Sequence, residues 1–395
     1  MKTLKDFNFD NKKAIIRVDF NVPLNERFEV TDATRIQAAK STIIDILEQG
    51  GSCVLMSHLG RPKGFQEAFS LQHIVAKVTD VLGVKVKFVA DCVGEKVEEA
   101  VANLEAGEIL LLENLRYYTE ETKGDVAFAE KLSKFGDIYV NDAFGTAHRA
   151  HASTTIIAQF FEENKCFGNL LAREIESIDK VLNNSEKPVL AILGGAKVSS
   201  KITVIENILD KVDHLIIGGG MSFTFIKAQG GTVGDSICED DKMDLALDIL
   251  KQAKEKGVDV HIPVDVIAAD DFNNAANTKV LDITQIPDGW QGLDAGPKSR
   301  ENFDAVVNKC KTILWNGPLG VFEMETFSEG TIALGHSIDN ATKNGAFSLV
   351  GGGDSVAAVK QFGFAEKVSY VSTGGGAMLE MLEGKTLPGI EAILK

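Results

Sequence analysis

The segment AIIRVDFNVPLNERFEVTDATRIQAAKSTIIDILEQGGSCVLMSHLGRP, residues 14–62, decides the fold. Its two ends, 14–20 and 52–58, are short apolar runs rich in Val, Ile and Leu. Between them, residues 34–49 set Ile36, Ala39, Ile43, Ile44 and Leu47 at helical spacing, with Asp32 available upstream as an N-cap. A strand, a crossover helix and a second strand in that order form a β-α unit of a parallel sheet. The same alternation continues along the chain, with candidate strands at 85–90, 108–113, 137–141, 188–193, 214–218, 259–263, 311–315, 346–350 and 367–371. Eleven strands fit two sheets better than one. The expected class is therefore α/β: two lobes, each a mainly parallel sheet flanked by helices on both faces. The run 170–182 repeats the helical pattern with Leu170, Leu171, Ile175, Ile178 and Leu182, then gives way to the polar turn NNSEKP at 183–188. A first domain over 1–170, a hinge helix and linker over 171–187, and a second domain over 188–376 follow from that reading.

Composition excludes several classes. At 395 residues, with 44% hydrophobic and 25% charged, the chain is globular and long enough for about two domains. The longest apolar stretches, 109–112 and 189–193, fall far short of the ~20 residues that span a bilayer. The N-terminus MKTLKDFNFDNKK is polar where a secretory signal needs an apolar core, so a cytoplasmic protein is expected. Five cysteines are scattered singly with no C-x-x-C pair, which reads as reduced thiols and not as a metal or redox centre. Lys and Arg number 41 against 57 Asp and Glu, a net charge of −16 that repels nucleic acid and anionic membranes. An anionic ligand must then meet a local basic pocket.

Ligands of open parallel sheets bind beyond the carboxyl ends of the strands, so the residues there carry the functional reading. In the first half these are Asp19 and Asn21 (RVDFNVP), His58 and Arg61 (SHLGRP), Arg116 (ENLRYY), and His148, Arg149 and His151 (AFGTAHRAHAS). The chain has only eight arginines, and four of them, Arg35, Arg61, Arg116 and Arg149, lie at or just past these ends. A guanidinium fork pairs bidentately with phosphate or carboxylate, so a convergent set points to a small polyanion. Any one of them alone reads as a surface salt bridge. His148 and His151 stand three apart, but no third ligand at a matching spacing supports a metal.

The second half ends its strands in glycine: GGAK at 194–197, GGG at 218–220, GGGD at 351–354 and GGG at 374–376. Glycine lets backbone N–H groups approach a phosphate, and a helix N-terminus adds a favourable dipole. A tight strand-to-helix turn explains any one of these; four together point to a nucleotide site. Neither G-x-x-x-x-G-K-[ST] nor G-x-G-x-x-G is present, and the HRA and DFN tripeptides are not protein-kinase signatures. Lys197 and Lys201, four apart, could face the same phosphates if a helix begins near Ser199, or could simply be a solvated helix start. Asp354 suits a nucleotide-borne Mg²⁺, which takes only one or two carboxylates, and equally suits an N-cap.

RVDFNVP at 17–23, SHLGRP at 57–62, NDAFGTAHRAHAS at 141–153, AILGGAKVS at 191–199, WNGPLGVFE at 315–323, GGGDS at 351–355 and STGGGA at 372–377 together resemble phosphoglycerate kinases from end to end. The resemblance implies a two-lobed enzyme that transfers the acyl phosphate of 1,3-bisphosphoglycerate reversibly to MgADP, giving 3-phosphoglycerate and MgATP, with Mg²⁺ as the cofactor. It implies that Asp19, Asn21, Arg35, His58, Arg61, Arg116 and Arg149 hold phosphoglycerate. Lys197, Lys201, Gly292, Glu323, Gly351, Gly352, Gly353 and Asp354 would hold the nucleotide, with Glu323 on the ribose and Asp354 at the metal. Lys197 and Arg35 would sit nearest the transferred group. It further implies that about 377–395 return to the first lobe, that the lobes close by hinge bending, and that the protein is a monomer. Ser200, where the family often has Asp, and Ile156, where Gly is frequent, are departures outside these contacts.

The acceptor carboxylate is ionised at neutral pH, so the reverse reaction needs no general base, in keeping with a cleft of arginines. Two rivals stand beside this reading. A Rossmann-like dehydrogenase explains the β-α pattern but lacks its fingerprint, and a non-catalytic nucleotide- or phosphoester-binding protein of the same fold explains both halves without chemistry.

Overall fold

The computed structural model describes all 395 residues, which form two compact units, Met1–Glu176 with Thr386–Lys395, and Ser177–Lys385. The first unit is built on a six-stranded sheet in the spatial order Val86–Phe88, Ile109–Leu111, Ser52–Met56, Lys13–Val18, Ile138–Asp142, Lys165–Phe167. Every pairing in it is parallel, with Ile15 opposite Val54 on one side and Tyr139 on the other. A central strand covered on both faces must be apolar throughout, and Ala14, Ile15, Ile16 and Val18 are all fully buried. Helix Thr34–Glu48 joins the first two strands and buries Ile36, Ala39, Thr42, Ile43 and Ile46 against them. Ile44 and Leu47 are only half-buried. Ala33 holds the N-cap position, but the Asp32 carboxylate still accepts the Thr34 N–H at 2.8 Å.

The second unit repeats the plan with Asp259–His261, His214–Ile217, Val189–Leu193, Thr312–Asn316, Phe347–Val350 and Tyr370–Val371 as neighbours, again all parallel. Its core gathers Leu190, Ile192, Phe303, Ile313, Trp315, Ile338 and Val350. The buried Trp315 indole donates to the Gly317 carbonyl at 2.9 Å, so its one polar atom is satisfied.

All eleven strands expected from the sequence belong to these two sheets. The twelfth, Lys165–Phe167, is three residues long and begins with a lysine, which gives no periodic signal. A three-stranded antiparallel sheet, Thr278–Asp282, Asp265–Ala269 and Gln291–Ala295, also adds to the second unit. Its strands mix Asp, Lys, Gln and Gly with the apolar residues, so neither period stands out. The boundary between units falls inside helix Asn169–Leu182, not at its ends. The C-terminal return to the first unit begins at Thr386 and not near 377. Helix Gly376–Leu382 stays with the second unit, where Asn207 donates to the Leu382 carbonyl at 2.6 Å.

Candidate active site

Because the first sheet is parallel, the carboxyl ends of its strands share one edge, and the basic residues collect there. Asp19 follows Lys13–Val18 directly, His58 lies two residues past Ser52–Met56, and Arg35 sits in the first turn of helix Thr34–Glu48. Arg35 donates to Asp19 Oδ2 at 2.8 Å, and His58 Nδ1 lies 3.8 Å from Asp19 Oδ1. Asn21 Oδ1 accepts the Gly60 N–H at 2.8 Å, while Arg116 donates to the Gly60 carbonyl at 2.7 Å. One residue, Gly60, thus ties the loops after three strands together through its two flanking peptide groups. Arg61 is the next residue and is exposed, as is Arg149 on the turn after Ile138–Asp142. That turn is held from the C-terminal segment, since the Ala147 carbonyl accepts from Gly389 N–H at 2.8 Å and Asn141 donates to the Gly389 carbonyl at 3.1 Å.

Charge at this edge is lopsided. Burial, then the cations Arg17 and Arg149, lower the Arg116 pKa to about 10, so it stays protonated at neutral pH. Burial and the cations Arg116, Arg17 and Arg149 lower His151 to about 4, and burial with Arg17, Arg116 and Arg35 holds His58 well below its ordinary value. Both imidazoles are neutral, and the arginines crowd one another. A bound polyanion would relieve that repulsion, which is the chemistry the site offers.

Sequence reasoning passed over what lies beneath. Arg17, within the strand, is fully buried and its Nε donates to Ser153 Oγ at 2.8 Å. Ser153 in turn donates to the buried Glu121 through Oγ at 2.6 Å and through N–H at 2.9 Å. A lone arginine inside an apolar strand hints at a buried charge, but its partner Ser153, 136 positions later, is set only by the fold.

In the second unit the glycines are of two kinds. A Cβ on Gly194 would lie 2.1 Å from the Pro318 carbonyl oxygen, so this glycine serves the close approach of two strand ends. A Cβ on Gly353 would meet nothing within 4 Å. Gly353 opens helix Gly353–Gln361 with Asp354 in its first turn, where the N–H groups lack intrahelical partners. Nearby is a cleft of about 460 Å³. Phe223, Val266, Phe272 and Leu293 supply apolar wall, Gly292 and Glu323 lie on its lining, and Asp354 stands at its edge with Gly195 and Gly219. An apolar slot with a few polar groups suits a nucleobase and ribose.

Lys201 bonds to Asn316 Oδ1, and Asn316 Nδ2 donates to the Gly351 carbonyl at 2.8 Å, so Lys201 and the 351–353 turn are connected through a buried asparagine that the sequence reading did not single out. Burial lowers the Lys201 pKa and the Asp354 charge opposes that shift. Helix Ile202–Ile208 starts just past Lys201, after the single 3₁₀ turn Val198–Ser200. Lys197 precedes that turn and is exposed. One carboxylate, Asp354, beside the open space at Gly353, cannot cage a bare ion. It does fit a Mg²⁺ delivered on nucleotide phosphates, which supply the remaining oxygens.

The family model described as phosphoglycerate kinase matches residues 4–385. Phosphoglycerate kinase from Porphyromonas gingivalis is 53% identical over 99% of both chains, and the cytosolic phosphoglycerate kinase of Nicotiana tabacum is 49% identical over 99% of this chain and 97% of its own. The solved structure of phosphoglycerate kinase from Coxiella burnetii superposes with a TM-score of 0.91 at 40% identity, covering 100% of this chain and 98% of that one.

Proposed function

The chain belongs to the phosphoglycerate kinase family, whose members are glycolytic phosphotransferases, and on that premise we propose how its residues divide the reaction. The enzyme moves the acyl phosphate of 1,3-bisphosphoglycerate to MgADP and, in reverse, the γ-phosphate of MgATP to 3-phosphoglycerate. The observation that carries the division of labour is the contrast between the two sheets' carboxyl edges: arginines around Asp19 on one, open glycine turns beside an apolar cleft on the other.

Asp19, Asn21, Arg35, His58, Arg61, Arg116 and Arg149 hold phosphoglycerate. The Arg35–Asp19 pair is half-exposed on the arginine side, so an incoming carboxylate or phosphate can share that guanidinium. No residue needs to act as a general base, because the attacking carboxylate is already ionised. The neutral His58 therefore serves as a ligand and not as a proton acceptor. Gly292 and Glu323 take the nucleoside, and Gly351–Gly353, Lys201 and Asp354 take the phosphates. When bound with the nucleotide at Asp354, Mg²⁺ supplies charge neutralisation on the phosphate oxygens. Lys197, exposed at the head of its turn, is free to follow the transferred group, and with Arg35 it opposes the charge on the equatorial oxygens. The cytosolic tobacco relative supports a cytoplasmic protein, and ligand sets drawn from one chain support a monomer.

Paired kinetics test the division. Arg116→Ala should raise the KM for 3-phosphoglycerate by about tenfold or more and leave the ATP KM within about twofold, and Asp354→Asn should do the reverse. Equal effects of either variant on both substrates would refute it.

A further inference from the structure

The buried guanidinium of Arg17 is committed at three points. Nε donates to Ser153 Oγ at 2.8 Å, Nη1 donates to the Val18 carbonyl, and Nη2 lies 3.2 Å from His58 Nδ1. With no solvent exposure, Arg17 does not reach a ligand itself. Glu121, equally buried and bonded twice to Ser153, fixes the far end of the network.

A guanidinium has donors only, so the ring nitrogen it faces must be an acceptor. The competing partner for a proton on Nδ1 is Asp19 Oδ1 at 3.8 Å, too far for a hydrogen bond. The shorter contact decides, and the single proton of a neutral His58 ring then sits on Nε2. Double protonation is opposed from each surrounding element: Arg17 from its own strand, Arg35 from the helix, Arg116 from the loop after Ile109–Leu111 and His151 from the turn beyond Ile138–Asp142, with the Asp19 carboxylate as the opposing charge. The only side-chain hydrogen bond of His58 is the one at Nδ1, which leaves the Nε2 proton for a ligand.

We propose that Arg17 is a positioning residue that locks His58 in the neutral tautomer with its proton on Nε2, so that the imidazole meets the acidic substrate as a donor. The substrate half of this inference rests on the cluster's being the phosphoglycerate site. Without Arg17 the ring could turn Nδ1–H toward Asp19 or share its proton between the two nitrogens, and a lone pair would then face the substrate's anionic oxygens.

The test is NMR of the full-length protein carrying ¹⁵N-labelled histidine rings. The wild-type His58 should show an unprotonated Nδ1 and a protonated Nε2, unchanged from about pH 8 to about pH 6, and 3-phosphoglycerate should shift Nε2 more than Nδ1. Arg17→Met should mix the tautomers, let His58 titrate nearer its ordinary value, and raise the 3-phosphoglycerate KM by roughly tenfold with the nucleotide KM unchanged. Arg17→Lys, which keeps a donor, should recover the wild-type tautomer. If the methionine variant does not fold, the wild-type spectrum still decides, because a proton on Nδ1 or a normal titration overturns the proposal. An Nε2 proton that does not respond to 3-phosphoglycerate overturns the substrate role together with the site assignment, and the ligand-free spectrum distinguishes that failure from a wrong tautomer.

Discussion

Asp142 ends the strand that leads into the Arg149 turn, and its side chain is fully buried. Oδ1 accepts the Leu171 N–H at 3.1 Å, in the first turn of helix Asn169–Leu182, and Gly168 packs so tightly that a Cβ there would lie 2.2 Å from the same oxygen. Burial outweighs the bonds from Thr42, Leu171 and Leu170 and raises the carboxyl pKa from 3.8 to about 7. A folded-state value above the unfolded one means that the folded protein holds the proton more tightly. The contribution to stability is therefore complete below the unfolded value and is lost as pH rises through about 7. Each pK unit is worth a little over 1 kcal/mol, and about two units of the shift lie above pH 5, so wild type should lose on the order of 3 kcal/mol at this site between about pH 5 and about pH 8. Asp142→Asn is neutral throughout and keeps an acceptor for Leu171. Urea unfolding of both proteins at the two pH values, followed by circular dichroism, isolates the term as a difference. The variant should gain on wild type by that amount at the higher pH. Parallel pH dependence would mean that the carboxyl is already ionised at pH 5 and would refute the burial argument.

Two further outcomes follow from the site. Lys197→Ala should lower kcat by a hundredfold or so, about 2.7 kcal/mol of transition-state stabilisation, with little change in the 3-phosphoglycerate KM; an unchanged kcat in steady-state assays would remove Lys197 from the transferring group. Transfer also requires the two ligands to meet away from water, so small-angle scattering with both substrates bound should give a smaller radius of gyration than the free enzyme. No contraction at saturation would count against hinge closure.

Much of this was legible in the chain. Apolar runs such as AIIRV and VLAIL name their own strands because a parallel strand is covered on both faces, and the parallel arrangement then dictates where Arg35, Arg116 and the glycine turns must gather. What stayed hidden depends on partners distant in sequence. Arg17 reads as one more strand residue until Ser153, 136 positions later, accepts its Nε–H. Asn316 becomes functional only when Lys201 and Gly351 are brought to it by neighbouring strands. Phe223 and Phe272 lie far apart in the sequence, and only the folded second unit sets them on one cleft. The same holds for the glycines: Gly194 and Gly353 are identical in sequence, and only the folded backbone separates the one that lets strand ends touch from the one that faces open space.

Turnover tests the central claim most directly. Purified protein is given MgATP and 3-phosphoglycerate, and glyceraldehyde-3-phosphate dehydrogenase is added to report 1,3-bisphosphoglycerate as NADH oxidation. The expected result is oxidation that requires both substrates and stops when either is withheld. Binding of both ligands by calorimetry with no NADH oxidation would contradict it, and would leave a protein that holds the two substrates without joining them.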